Sequence, residues 1–212
     1  MINLKISLIS SSVTILPGLS SKLISISQER LKSLGINIIT NTKLQKVEDG
    51  YCHFSNGTKI NHSFVIFTGG IEASTITAEL EDVAKNGRGQ IIVNEYLQTD
   101  KYENIFAIGD IAEIRNAKGE IMPPNVTVAR ISGTDAGNNV LNMIAGKRLI
   151  KSNPKLDGIL IALGGKYAAG DLFGLVTVSG RIAYEIKKYV FSSYRKPLLK
   201  LIKIGYSKLK RF

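Results

Sequence analysis

The stretch Thr99 to Ile111, TDKYENIFAIGDI, holds the residues best placed to do chemistry. A polar turn climbs into four apolar residues, Ile105 to Ile108, and stops at Gly109-Asp110. Such a run is too short for a helix face, and closed by Gly it is predicted to be a fully buried strand. Asp110 then stands at the strand's carboxyl end, where open α/β sheets bind their ligands, and its carboxylate can accept hydrogen bonds from sugar-like hydroxyls. Other reactive side chains are sparse. The single Cys52 excludes an internal disulfide framework, a CxxC redox pair and a Cys-rich metal site, and it fits a reducing compartment. His53 and His62 lie in a short alternating stretch without a carboxylate cluster, so they are read as surface strand residues and not as metal ligands. Glu72, Glu79, Glu81 and Asp82 read as a solvated face. No side chain is assigned as a catalytic acid, base or nucleophile.

The elements that position this site follow from periodicity. Leu4 to Ile9 alternates and runs into Ser10-Ser11-Ser12, a strand entering a loop. After ILPGL, residues Ser20 to Leu34 place Leu23, Ile24, Ile26, Leu31 and Leu34 near helical spacing, with Gly35 as C-cap. Ile36 to Thr40 is the next strand, parallel to the first through a right-handed crossover. Asp49-Gly50 and Asn56-Gly57 mark two hairpin turns. They lead to an expected buried strand, Phe64 to Phe67, ending at Thr68-Gly69-Gly70. A mixed loop and helix is expected from Ile71, then the turn NGRGQ and a strand at Ile91 to Val93. Past Asp110, Pro124 stops a loop and Asn125 caps a helix, VTVARISGTDAGNNVLNMIAG. Gly133 and Gly137 inside it lower helix propensity and so predict close packing or close approach of a ligand. Gly158 to Gly180 reads as a hairpin of apolar strands, with Gly164-Gly165 in a turn.

The 212 residues can bury a substantial core as one or two domains, and 21% charged with 44% hydrophobic residues is ordinary for a globular chain. Charge is uneven. Of the net +11, residues 181–212 hold ten Lys or Arg and one Glu, a net +9, leaving +2 for residues 1–180. On a helical wheel Leu198, Leu199, Ile202, Tyr206 and Leu209 fall on one side, with Lys196, Lys200, Lys203, Ser207, Lys210 and Arg211 on the other. Such a helix suits the plane of an anionic membrane surface, or packs on its own domain or a second subunit. The basic face lacks aromatic interleaving and a recognition motif, which argues against nucleic acid. No run of about 18 apolar residues spans a bilayer, and the start MINLKISLISSS is not read as a signal peptide.

The pattern Thr-x-x-Tyr-x-Asn-Ile-Phe-Ala-Ile-Gly-Asp resembles the second FAD fingerprint of the two-dinucleotide-domain flavoprotein reductases, the pyridine nucleotide-disulfide oxidoreductase superfamily. The order strand, ILPG loop, helix, strand, hairpin, Gly-rich turn is similar to the later part of their NAD(P)-binding domain. ALGGKYAAG followed by GLVTVSGRIAYEIKKYVF resembles the carboxyl-terminal region of the type II NADH:quinone oxidoreductases. The resemblance implies an α/β fold: the C-terminal part of a two-dinucleotide-binding-domain, Rossmann-like flavoprotein reductase, with a C-terminal hairpin and amphipathic helices. Residues 1–74 would be the later part of the NAD(P)-binding domain, 75–150 the C-terminal part of the FAD-binding domain, and 151–212 the hairpin and basic membrane-surface region.

The same resemblance implies FAD and NAD(P)H as cofactors. It implies hydride transfer to the flavin and on to a quinone, as in a respiratory chain, on the cytoplasmic side of the cell membrane as a peripheral protein. Asp110 would hold the ribityl chain, Gly109 would allow close approach, and the backbone of Val126 and Thr127 would face the flavin pyrimidine. Ser10 takes the place usually held by an acidic residue on the adenosine ribose, which leaves NADH or NADPH open. Gly70 matches the glycine where the chain passes towards the FAD domain. Tyr167 and Phe173 are candidates for a quinone or membrane mouth. In relatives the Asn125 helix carries Gln residues near the quinone, where this chain has Thr127, Ile131 and Ser132. Sulfide:quinone reductase needs redox cysteines, and Cys52 stands alone. No GxGxxG loop joins a strand to a helix. The chain is therefore expected to be about the last half of a family member, as a truncation, an excised piece or one chain of a split enzyme, with the amino-terminal half or a homodimer as partner. The alternative is a non-catalytic remnant or subunit acting as a membrane-surface binding module.

Overall fold

The computed structural model describes the backbone of residues 4–209 and the side chains of residues 4–200 and 202. The chain opens with β1 (Ser7–Ile9), α1 (Ser21–Ser33) and β2 (Asn37–Ile39). α1 starts where it does because the Ser20 hydroxyl takes the Leu23 N–H at 3.2 Å, and it stops where Gly35 turns to φ +74°. β1 and β2 pair parallel, Leu8 against Ile38, so the crossover forms as the periodicity predicts. A meander follows: β3 (Leu44–Glu48), β4 (Tyr51–Phe54) and β5 (Lys59–Asn61), turned at Gly50 and Gly57 with positive φ.

The middle of the chain has little regular strand. β6 (Ile91–Ile92) pairs parallel with β7 (Ala112–Glu113). α2 (Val126–Ile144) begins at Asn125, whose Oδ1 accepts from the N–H groups of Thr127 and Val128 at 2.9 and 3.0 Å. Between these elements one turn recurs three times, at Asn86-Gly-Arg-Gly-Gln90, Asn94-Glu-Tyr-Leu-Gln98 and Asn116-Ala-Lys-Gly-Glu120. In each, the Asn Oδ1 accepts the N–H groups two and four residues on, and its Nδ2 donates to the fifth side chain. The fourth residue takes positive φ: Gly89, Leu97 and Gly119. Val83, Ile91, Val93, Leu97, Ala107, Ala112, Ile114, Val128 and Ala136 form the core here.

The final segment folds as β8 (Gly158–Ala162), β9 (Ala168–Leu172), β10 (Val176–Ser179) and α3 (Gly180–Leu209). The expected hairpin is thus a three-stranded antiparallel sheet with β9 central. Both α1 and α3 pack on β9. Small residues allow this: Ala168, Ala169 and Ala183 are fully buried, and a Cβ on Gly170 would collide with the Ile159 carbonyl. Pro197 lies inside α3, where it removes one backbone hydrogen bond. Of the predicted tail wheel, Lys210 and Arg211 and the side chains of Lys203, Tyr206, Ser207 and Leu209 lie outside the described residues; Leu198, Leu199 and Ile202 are exposed. Two compact units result, Met1–Val65 with Asp157–Phe212, and Ile66–Leu156.

Four local expectations are corrected. Ile105 to Ile108 is extended but not a fully buried strand: Ala107 points in, while Ile105 and Ile108 are exposed and only Phe106 makes a bridge, to Gln98. A fully buried strand needs neighbours on both sides, and among the described residues this segment pairs along one. Phe64 to Phe67 forms no strand, and Phe64, Ile66 and Phe67 stand exposed for the same reason. The helix expected from Ile71 is a single 3-10 turn at Thr75–Thr77, because the acidic stretch offers no apolar face to bury. A Cβ on Gly133 would meet Ile108 at an ordinary 3.7 Å and one on Gly137 nothing within 4 Å, so the tight-packing half of that expectation is not met among the described residues, and close approach of a ligand stays the expectation.

Candidate functional site

The extended segment ends at Ile108, with φ −141° and ψ 165°, and the chain then turns through Gly109 at φ +65° into a 3-10 turn over Gly109–Ile111. Glycine is needed there for its backbone angle, since a Cβ would meet only Ala129 at 3.6 Å. Two buried side chains hold the turn. The Gly109 N–H donates to Ser132 Oγ at 3.2 Å, and Gln90 Nε2 donates to the Asp110 carbonyl at 2.9 Å. The Asp110 side chain is left exposed.

The start of α2 packs against this turn. Val126 is exposed, and its N–H has no partner among the described residues, whereas the Thr127 N–H is already engaged by Asn125. Of the two backbone donors predicted to face a ligand, the first is available and the second is held by the cap.

Behind the turn lies a polar chain. Asn86 Nδ2 donates to Gln90 Oε1 at 2.9 Å and to Glu113 Oε2 at 3.0 Å, and Arg115 donates to Glu113 Oε1 at 2.6 Å. The Asn86 hydrogen bond, helped by Arg115 and opposed by burial, holds the Glu113 carboxyl below its ordinary range. A depressed carboxyl contributes stability that is present above the unfolded value and is lost as pH falls through the folded one. Glu113→Gln is therefore expected to flatten the acid limb of stability below about pH 4.5. Urea midpoints from pH 7 down to 3 check this; a mutant curve parallel to that of the parent defeats it.

The other predicted residues lie elsewhere. Ser10 stands at the end of β1, where its hydroxyl donates to the Thr14 carbonyl at 3.0 Å and accepts from Ser12 N–H at 3.2 Å. One acceptor position remains for a ligand; the donor is spent on the loop. Gly70 has φ +123° and open space at its Cα. Tyr167 is half-buried against the cluster of Leu23, Leu163 and Ala169, with the Arg30 guanidinium 4.8 Å from its ring centre. Phe173 sits at the β9–β10 turn, 70% exposed with φ +54°, beside Leu175 at 87%. The structure brings Gly109, Asp110 and Val126 together; Ser10, Tyr167 and Phe173 belong to the other compact unit. Sequence reasoning missed Gln90 and Ser132 as holders of the turn. The signal for Gln90 was the Asn-x-x-x-Gln/Glu spacing that the turns at Asn86, Asn94 and Asn116 share.

Parallel β1–α1–β2 pairing, together with an extended segment that ends in Gly-Asp beside a helix N-terminus, defines a dinucleotide-binding type of α/β protein. The family model for the pyridine nucleotide-disulphide oxidoreductases matches residues 2–133, and the chain belongs to that family. It is 28% identical over 209 residues to a type II NADH:quinone oxidoreductase of Haemophilus influenzae, covering 95% of this chain and 47% of that protein. To the protein of the same name from Staphylococcus aureus it is 24% identical over 190 residues, covering 88% and 46%. The solved structure of NDH2 from Plasmodium falciparum in complex with NADH superposes with a TM-score of 0.76 at 17% identity, covering 88% of this chain and 54% of that one. The chain spans about half the length of these relatives. Its fold is that of the FAD/NAD(P)-binding reductases of the family.

Proposed function

We propose that the chain is the carboxyl-terminal part of an FAD-dependent NAD(P)H dehydrogenase of the type II NADH:quinone oxidoreductase group. The observation that carries this reading is the Gly109-Asp110 turn, pinned at both peptides with its carboxylate exposed. A carboxylate held this way accepts hydrogen bonds from vicinal hydroxyls, which fits a ribityl chain. The free Val126 N–H at a helix start suits the electron-rich edge of a reduced ring. When bound, FAD would accept a hydride from NAD(P)H and pass electrons to a quinone. This chain's own part is to hold and orient: Asp110 the ribityl chain, Gly109 the close approach, the Val126 N–H the pyrimidine edge, Ser10 an adenosine ribose. The proposed cofactor domains divide after residue 74, nine residues beyond the boundary of the compact units at Val65. The exposed Phe64, Ile66 and Phe67 are then the surface covered by the polypeptide that supplies the family's Gly-rich loops.

The chain, supplied with FAD and that polypeptide, is expected to show a flavin absorbance band that Asp110→Ala abolishes. A colourless wild-type preparation overturns the reading and leaves the non-catalytic module.

The basic end of α3 supports a peripheral site on an anionic membrane surface, with quinone reached from it. No helix among the described residues is long and apolar enough to cross a membrane. Ending the chain at Ser193 removes seven Lys or Arg. At up to about 1 kcal/mol each, partitioning onto phosphatidylglycerol vesicles is expected to fall by at least about tenfold in a flotation assay. Equal flotation of both chains removes the membrane partner.

A further inference from the structure

We infer that Gln90 and Ser132 are positioning residues for Asp110: together they set the direction in which its carboxylate meets a polyhydroxyl ligand. The inference rests on the flavin reading of the Gly109-Asp110 turn and adds two residues to it. Glycine at φ +65° has wide freedom, and a three-residue 3-10 turn makes little hydrogen bonding of its own. The peptide between Gly109 and Asp110 could therefore rotate unless its neighbours are held. They are held on both sides. Ser132, fully buried, takes the N–H before it, and Gln90, 7% exposed, takes the carbonyl after it.

Gln90 is itself oriented. Its Oε1 is claimed by Asn86 Nδ2 at 2.9 Å, which turns Nε2 towards Asp110. The second Asn turn repeats the device, since Gln98 Oε1 takes Asn94 Nδ2 and Gln98 Nε2 donates to the Glu103 carbonyl. The third turn has Glu120 at this place. A carboxylate keeps the bond from Asn but has no N–H with which to hold a carbonyl. Gln90→Glu thus gives the first turn the chemistry of the third, and Gln98→Glu makes the same change away from Asp110.

The test compares the chain, supplied with the polypeptide that carries the Gly-rich loops, with its Gln90→Glu, Ser132→Ala and Gln98→Glu variants by FAD titration followed through flavin fluorescence, and the chain and its variants by urea unfolding and by amide exchange at Gly109. Losing one hydrogen bond is expected to weaken FAD binding about five- to tenfold in Gln90→Glu and in Ser132→Ala. Gln98→Glu should leave FAD affinity within about twofold at comparable loss of stability. Exchange at the Gly109 N–H should quicken by about tenfold in Ser132→Ala and not in Gln98→Glu. FAD affinities that track stability alike in all three variants overturn the inference. Should the wild-type chain, supplied with that polypeptide, take up no FAD, the flavin reading fails, and Gly109 exchange still judges the clamp: an unchanged rate in Ser132→Ala overturns it.

Discussion

Leu97→Ala is expected to destabilise the protein by about 4 kcal/mol, and Leu97→Gly by no more than that. Leu97 is 1% exposed in the core cluster of the second compact unit, among Val83, Ile91, Ala107, Ile114 and Val128. Removing a buried leucine side chain to Cβ costs about 2–5 kcal/mol through lost transfer energy and the cavity left behind. In an ordinary core position, going on to glycine adds about 0.5–1 kcal/mol through the entropy of the unfolded chain. Leu97 has φ +70°, at the place in its Asn turn where the other two turns carry Gly89 and Gly119. An L-residue there is strained by about 1–2 kcal/mol, which glycine relieves and alanine does not. The usual order of the two variants is therefore levelled or reversed. Urea midpoints of the three proteins decide it, and a glycine variant less stable than the alanine variant by more than about 1 kcal/mol shows that the backbone at Leu97 carries no strain.

Leu97 also shows what the sequence could and could not convey. Its turn was readable in principle, because Asn94 and Gln98 stand at the spacing of Asn86 and Gln90, but the leucine hid the position where glycine gives such turns away. Signals that act over a few residues were legible: Ser20 and Gly35 bounded α1, Asn125 capped α2, and Asp49-Gly50 and Asn56-Gly57 turned the meander. Apolar runs reported a preference for burial but not the neighbour that provides it. Ile105 to Ile108 and Phe64 to Phe67 were thus expected inside, and are half or wholly outside among the described residues. At the candidate site, Gly109 and Asp110 were visible as a local pattern. Ser132 carried no local signal, and the Asn turn that contains Gln90 did not reveal its target, since the bond by which each holds the site reaches a residue about 20 positions away. A polar residue in a turn or on a helix looks the same whether it faces water or a backbone group across the fold.

The second large effect concerns such a residue. Asn139 is fully buried on α2, where its Nδ2 donates to the carbonyls of Tyr96 at 3.1 Å and Ile150 at 2.9 Å, and its Oδ1 accepts the Ile150 N–H at 2.7 Å. One side chain thus ties the helix both to the Leu97 turn and to the segment after it. Asn139→Ala leaves two carbonyls and one N–H without partners, at about 1 kcal/mol or more each, and regains about 0.6 kcal/mol of helix propensity. A net loss of about 3 kcal/mol is expected. Asn139→Asp separates this account from simple loss of packing, because it keeps the shape and the acceptor for Ile150 but turns a carboxylate oxygen towards two carbonyls. Ionisation is then disfavoured in the folded state, so that carboxyl is raised above its unfolded value near about 4. With the folded value raised, the protonated variant is the more stable one, and stability falls by about 1.4 kcal/mol per pH unit as pH rises between the two values. At pH 7 the aspartate variant should be weaker than the alanine variant, and near pH 4 it should overtake it, since the protonated acid regains a donor for one carbonyl. Urea midpoints of both variants across that range provide the measurement. Parallel curves would mean that Asn139 holds its place by shape alone, and that the three bonds add nothing to the anchoring of α2.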